Sequence, residues 1–284
     1  MKEVIIDTLL DSLKLLPFLF LTYLLMEFIE HKAGDRAAAA IGSAGKYGPL
    51  LGSLLGVVPQ CGFSASASSL YSGGVITAGT LVAVFLSTSD EMLPVCISES
   101  VSGVTIAKIL IYKVLIGIVI GFGLDLILKI AGKNPKEREI HSLCRDENCG
   151  CEEGSIFTSA FHHTLHIALF ILAISFVLNT VIYFIGEENL SNLFVDVPVI
   201  GCAVSALVGL IPNCAASVVI TELYISGVIS AGCLMSGLLA GSGVGIPILF
   251  RLNKNSKQNF GIMAATYASA VVVGSLFDLM GVTL

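Results

Sequence analysis

The chain has no tryptophan and little charge. Only 13% of its 284 residues are Asp, Glu, Lys or Arg, against 55% hydrophobic. A soluble protein of this length needs far more charge to cover its surface, so a water-soluble globular domain is excluded. There is no glycine-rich phosphate loop ending in Lys-Ser or Lys-Thr, which argues against ATP as a driving force. No basic region leads the first apolar segment, where Asp7 and Asp11 stand instead, and no small-residue cleavage site follows it; a cleavable signal peptide is not expected. Without tryptophan, any interfacial aromatic belt must come from Tyr and Phe. Nothing in the charge pattern suggests a nucleic-acid partner.

What remains is long apolar sequence with a mean hydropathy of +0.91. Runs such as 109–128 and 167–185 are long enough to cross a hydrocarbon core of ~30 Å at about 1.5 Å per residue. The expected class is therefore an all-α polytopic protein of the lipid bilayer, with roughly 8–10 membrane segments.

The chain is duplicated. Val57-Val58-Pro59-Gln60-Cys61-Gly62-Phe63-Ser64 returns as Leu210-Ile211-Pro212-Asn213-Cys214-Ala215-Ala216-Ser217, with the two prolines 153 residues apart. The same offset pairs Leu70-Tyr71 with Leu223-Tyr224, Gly74-Val75-Ile76 with Gly227-Val228-Ile229 and Ala78-Gly79 with Ala231-Gly232. It also pairs Pro94 with Pro247, Gly121 with Gly274 and Asp125-Leu126 with Asp278-Leu279. The unit is too long for a solenoid repeat. Three regions follow: a first transmembrane repeat (1–131), a hydrophilic Cys/His-rich linker (132–155) and a second repeat (156–284).

Eleven of the fifteen Lys and Arg residues fall in 32–46, 129–155 and 251–257. With these loops in the cytoplasm, acidic loops near Glu99 and Glu187 fall outside, and so do both termini. The chain must then cross an even number of times between 46 and 129. One of the three segments there enters and returns on the same side, and the Pro59 segment is the one expected to be re-entrant. Each half crosses an odd number of times, so the repeats are inverted in topology. Two parallel halves of four crossings are the rival arrangement.

Proline and small polar residues that break apolar segments at matching places in two halves point to a transporter's binding site. Non-helical backbone at membrane depth survives where it is buried in protein or lines a wet cavity. Pro59, Gln60, Cys61 and Ser64, with Pro212, Asn213, Cys214 and Ser217, are the substrate-binding candidates. They offer amide oxygen, thiol and hydroxyl beside carbonyls freed by proline. Kinked helices with small residues for close packing are the structural alternative. Asp90 and Glu91, inside the interrupted run Ser87-Thr88-Ser89, and Glu222 lack acidic counterparts in the other half and are candidates for ion coupling. Asp125 and Asp278 read as structural, with Lys129 in reach of Asp125. Lys108 and Lys113 read as lysines that snorkel.

Two further groups suggest metal. His162 and His166 share a helix face, with His163 turned about 100° away. Glu27, Glu30 and His31, at the cytoplasmic end of the first helix, lie at the same expected level. In the linker, His141, Cys144, Cys149 and Cys151 form H-x2-C-x4-C-x-C, a ligand set for Zn²⁺ or another transition metal in a reducing compartment. Cys96, Cys202 and Cys233 read as small apolar fillers.

The duplicated Pro-x-Cys segments, the His162-His163-Thr164-Leu165-His166 helix start and the central Cys/His linker together resemble a family. It is the bacterial and archaeal multi-span group described as manganese transporters or heavy-metal exporters, and in some members as arsenic efflux proteins. The resemblance covers essentially the whole chain and implies a metal exporter of the cytoplasmic membrane with inverted halves. Arsenic permeases carry more cysteine close after Pro-x-Cys; Gly62-Phe63 and Ala215-Ala216 stand there here, which points to a harder cation. The expected function is thus a secondary transporter and not an enzyme. It would be an antiporter exporting Mn²⁺ or a similar divalent metal, with no cofactor for transport itself, and a homodimer is compatible with this. Export of a small organic solute, oxyanion or arsenical is one alternative, and a membrane-embedded metal sensor or thiol protein is another.

Overall fold

In a computed structural model the described residues are 16–17, 19–21, 23–24, 45–58, 62–89, 92–132, 156–185, 198–282 and 284. Among them every regular element is helical: α1 (Gly48–Gly56), α2 (Gly62–Ser72), α3 (Ala78–Ser87), α4 (Met92–Ser98), α5 (Gly103–Ile130), α6 (Ile156–Ile185), α7 (Pro198–Gly209), α8 (Cys214–Ile225), α9 (Ala231–Ala240), α10 (Gly245–Leu252) and α11 (Ser256–Leu279). The 153-residue offset carries α1 through α5 onto α7 through α11, so the repeat seen in the sequence is also a repeat of elements.

Among the described residues, four segments are long and apolar enough to cross a membrane: Ala78–Ser98, Gly103–Ile130, Ala231–Leu252 and Ser256–Leu279. They divide into two kinds. The interrupted pairs α3–α4 and α9–α10 are 75% and 83% buried, whereas α5 and α11 are 22% and 28% buried. The continuous helices are therefore peripheral. They turn residues such as Val104, Ile111, Val119 and Val272 outward, as expected of helices that are apolar all round. The broken ones form the centre, where irregular backbone is shielded from lipid.

Glycine contacts give the helix directions. A Cβ on Gly48 would strike Thr80, one on Gly52 would press on Thr80 and Val84, and one on Gly56 would strike Val84 and Ser87. α1 thus runs parallel to α3, and α2 between them runs back. α5 runs antiparallel to α3, with Gly121 and Asp125 beside Gly79, and Gly117 beside Ala83. The second half repeats this, with Gly274 and Asp278 beside Gly232.

The same small devices recur in both halves. α2 and α8 end in matching Schellman turns. Gly74 N–H donates to Tyr71 and Val75 N–H to Leu70; Gly227 N–H donates to Tyr224 and Val228 N–H to Leu223. The left-handed residue is glycine both times, with φ of 75° at Gly74 and 74° at Gly227.

At the start of α3, Thr77 Oγ1 accepts from Thr80 N–H (3.1 Å) and donates to Asp125 Oδ2 (2.6 Å), while Asp125 Oδ1 accepts from Gly79 N–H (2.8 Å). At the start of α9, Ser230 Oγ accepts from Cys233 N–H (3.1 Å) and donates to Asp278 Oδ2 (2.8 Å), and Asp278 Oδ1 accepts from Gly232 N–H (2.8 Å). A carboxylate from the last helix of each repeat thus caps the positive end of the third. The structural reading of these two aspartates fits this arrangement, although Asp125 spends its oxygens on Thr77 and Gly79 and not on Lys129.

Between the halves the packing is reciprocal. α2 lies on α10 and its counterpart α8 lies on α4, while α3 meets α9. Ser68 Oγ donates to the Gly245 carbonyl at 2.7 Å, and a Cβ on Gly245 would come within 2.7 Å of Phe85 and 3.0 Å of the Ser64 carbonyl. Leu19 and Tyr23 from the start of the chain join Ala160 and Ile167 of α6 against Ala65, Val244 and Ile248.

Candidate functional site

Three interruptions converge in the buried centre. α3 ends at Ser87 with Thr88 extended behind it (φ −53°, ψ 128°). α7 ends at Gly209, and Ile211-Pro212-Asn213 forms a non-helical turn before α8, with Asn213 N–H donating to the Ile211 carbonyl. α9 ends at Ala240, and Gly241-Ser242-Gly243-Val244 leads into α10, with Gly243 at φ 52°. Pro212 cannot donate to Val208, and Ile211 N–H takes that carbonyl instead (3.0 Å). A narrow cleft opens where the three breaks meet. Thr88, Ser89 and Met92 line it from the first half, and Gly209, Ile211, Asn213, Ser217, Gly237, Leu238, Gly241 and Gly243 from the second.

The cleft wall is largely apolar, and its polar side chains are those of Thr88, Ser89, Asn213 and Ser217. Thr88 and Ser89 turn their hydroxyls back onto helix-end carbonyls, Thr88 Oγ1 to Val84 (2.8 Å) and Ser89 Oγ to Ser87 (3.1 Å). Ends of helices leave carbonyls without a following turn, and Lys113 takes two of them. Its ammonium donates to the Thr88 carbonyl and to the Leu238 carbonyl, the latter at 2.7 Å. Lys113 is 1% exposed. The snorkelling expectation is therefore wrong for this residue. It sits ten residues into a helix whose flanks face outward, and its side chain goes inward to carbonyls of both halves. Its register counterpart, Thr266, satisfies itself on the Ile262 carbonyl at 3.0 Å. The positive charge is thus present on one side only.

Of the expected substrate-binding residues, the structure brings Asn213 and Ser217 to the cleft, with Pro212 in the turn beside it and Cys214 opening α8. Ser64 is fully buried on α2 against the start of α10. Glu222 is exposed on α8, so it does not approach the cleft from a buried position. His162 and His166 lie on α6 with exposed side chains, and His163 lies between them on the same helix. Pro59, Gln60, Cys61, Asp90, Glu91, Glu27, Glu30, His31, His141, Cys144, Cys149 and Cys151 lie outside the described residues.

Sequence reasoning missed Lys113 as a central residue. The signal was its depth, a cation ten residues into a 28-residue apolar helix. It also did not show that Cys202 and Cys233 meet each other and a carboxylate. Their sulfurs lie 3.7 Å apart, and Cys202 donates to Asp278 at 3.4 Å.

No protein-family model, curated protein or solved structure matches the chain. The functional reading therefore rests on the chain's own residues and geometry.

Proposed function

We propose that the protein is a secondary transporter that exports a divalent metal cation, Mn²⁺ first, across the cytoplasmic membrane by alternating access, and that the ion passes through the cleft between the two halves. The observation that carries this reading is the convergence of breaks from both repeats on one buried cleft, to which Thr88, Ser89, Asn213 and Ser217 bring hydroxyl and amide oxygens. Discontinuous helices meeting between repeats supply freed carbonyls and helix ends for an ion. Hydroxyl, amide and carbonyl oxygens suit a hard cation such as Mn²⁺.

The helix directions support the inverted arrangement. α1 and α2 run in and back beside α3, as a re-entrant hairpin would, while α3–α4 crosses once and α5 returns. With one further helix at the start of each repeat, each half crosses an odd number of times. The Lys- and Arg-rich loops 32–46, 129–155 and 251–257 then face the cytoplasm and both termini face outside. The linker ligands His141, Cys144, Cys149 and Cys151 would capture metal on the cytoplasmic side.

In this reading Lys113 competes with the substrate cation, and its positive charge opposes cation entry until it moves. A cation entering the cleft must take carbonyl oxygens that the Lys113 ammonium holds. Its displacement, together with protonation changes at Asp90 and Glu91 next along the chain, would link export to proton entry. A second reading has a specific observation behind it. The same buried ammonium, with the first turns of α4, α8 and α10 beginning close to the breaks, would also suit an anionic group. The substrate would then be an oxyanion or a small organic acid.

Flux into inside-out vesicles decides between them, tested with Mn²⁺, Zn²⁺, Fe²⁺, Co²⁺, arsenite and arsenate. The metal reading predicts uptake of a divalent cation that falls about tenfold or more in Asn213→Ala and Ser217→Ala, equivalent to about 1.4 kcal/mol of lost binding or barrier stabilisation. Uptake of an anion instead would establish the second reading. Absence of any flux from a folded protein would overturn both.

A further inference from the structure

The corner capped by Asp278 differs from its counterpart in one chemical respect. Where the first half has Pro49 and Thr80, the second has Cys202 and Cys233. Cys202 of α7, Cys233 of α9 and Asp278 of α11 bring one ligand atom each to within 4.8 Å of one another. The separations are informative. Two thiolates on a tetrahedral zinc-like ion, each at about 2.3 Å, stand about 3.8 Å apart, and a thiolate and a carboxylate oxygen about 3.5 Å apart. The side chains stand at 3.7 Å for Cys202 Sγ to Cys233 Sγ and 3.4 Å for Cys202 Sγ to Asp278 Oδ2. Two edges of the triangle thus already have the spacing of a tetrahedral face, and the third, Cys233 to Asp278, lies within 4.8 Å.

We propose that Cys202, Cys233 and Asp278 form a binding site for a thiophilic divalent cation such as Zn²⁺ or Cd²⁺. The two sulfurs bind as thiolates, one Asp278 oxygen as the third ligand, and water takes the fourth position. Both cysteines are buried, while Asp278 is half-buried and its neighbour Ser230 is exposed, which gives the ion and its water a way in. The support for the ligands is built. Asp278 is oriented by Gly232 N–H and Ser230 Oγ, and Cys233 N–H is held by Ser230 Oγ. Hydrogen-bonded support of this kind fixes first ligands in metal sites. Binding replaces the two thiol protons, so it releases up to two protons to solvent per ion bound.

The site is separate from the central cleft. It lies at the start of α9, about 12 Å along that helix from Gly241 at about 1.5 Å per residue. It does not depend on which substrate the cleft carries. Because its ligands come from α7, α9 and α11, a bound ion would tie three helices of the second half at one point.

The test uses full-length protein in which Cys61, Cys96, Cys144, Cys149, Cys151 and Cys214 are replaced by Ser, so that Cys202 and Cys233 are the remaining thiols. After reduction, Cd²⁺ is added and the thiolate-to-cadmium ultraviolet band and proton release are followed. The proposal predicts one Cd²⁺ per chain, with the band halved or lost in Cys202→Ser and in Cys233→Thr. The latter restores the first half's threonine and preserves the helix cap. Asp278→Asn should weaken binding about tenfold or more while leaving a thiolate band at high Cd²⁺. No band from reduced, folded protein would overturn the proposal. So would a band unchanged by Cys202→Ser and Cys233→Thr, or a Cys202–Cys233 disulfide found by mass spectrometry together with no metal binding after its reduction.

Discussion

The two halves of the chain solve one packing problem twice, with different chemistry. At the first corner, Asp125 meets Thr77 and Gly79, and Thr77 in turn meets Thr80. At the second, Asp278 meets Ser230, Gly232 and Cys202, and Ser230 in turn meets Cys233. The carboxylate, the capping hydroxyl and the glycine amide are common to both, so these are what the fold requires. The thiols occur in the second alone, so they are free to serve something else. The middle of the last helix shows the same division. Thr266 closes on its own helix, whereas Lys113 reaches across to Thr88 and Leu238. At these two places the shared groups close the packing, and the one-sided groups are Lys113, Cys202 and Cys233.

The largest effect that would sharpen this comparison is at Lys113. Lys113→Met leaves the Thr88 and Leu238 carbonyls buried without their donor, and should cost on the order of 2–5 kcal/mol and abolish transport. Thr266→Val at the matching position removes a self-satisfied hydroxyl and should cost about 1 kcal/mol at most. Thermal unfolding of the purified pair, read beside vesicle flux, compares them directly. Equal losses would remove the distinction between the two positions.

Next come the glycines at the crossings. A Cβ on Gly79 or Gly232 would run into the backbone of Gly121 or Gly274 and the facing aspartate. Gly79→Ala and Gly232→Ala should each cost about 1–3 kcal/mol, and by similar amounts. A large difference between them in melting temperature would show that the two corners are not mechanically equivalent.

The caps follow. Asp125→Ala and Asp278→Ala should each destabilise by about 1–2 kcal/mol through loss of the helix-start acceptor. Only the second should also weaken Cd²⁺ binding. The smallest effect is expected at Glu222, which is exposed on α8. Glu222→Gln should change stability by less than about 0.5 kcal/mol. Loss of proton-coupled flux in that variant would return Glu222 to the coupling machinery.

Much of the fold could be read from the sequence because duplication amplified weak signals. Neither Pro212 nor Gly227 alone identifies a break or a turn. Each gained weight from Pro59 or Gly74 at the same offset, and the matching Schellman turns and carboxylate caps show why those residues recur. The interruption at Ser87-Thr88-Ser89 and the one at Gly241–Gly245 were also visible, and both border the cleft. What the sequence hid was everything that depends on contacts across the repeat boundary. Whether Lys113 snorkels or turns inward depends on which face of α5 packs on α3, and no periodicity in so uniformly apolar a helix reveals it. Cys202, Cys233 and Asp278 are far apart along the chain and lie on three helices, so no spacing rule unites them. Cysteines in apolar helices read as fillers until tertiary packing sets them beside a carboxylate.

The most direct test of the central claim is the accessibility of the cleft from the two sides of the membrane. Ser89→Cys and Ser217→Cys, each in a protein whose native cysteines are replaced by Ser, place one thiol on the cleft from either half. A membrane-impermeant maleimide is then applied to right-side-out and inside-out vesicles, with and without a Mn²⁺ gradient. The account predicts that both thiols react from either side, that the favoured side reverses with the gradient, and that saturating Mn²⁺ protects them. Thiols that react from neither side, or from one side alone under every gradient, would contradict a transport pathway through the meeting point of the breaks.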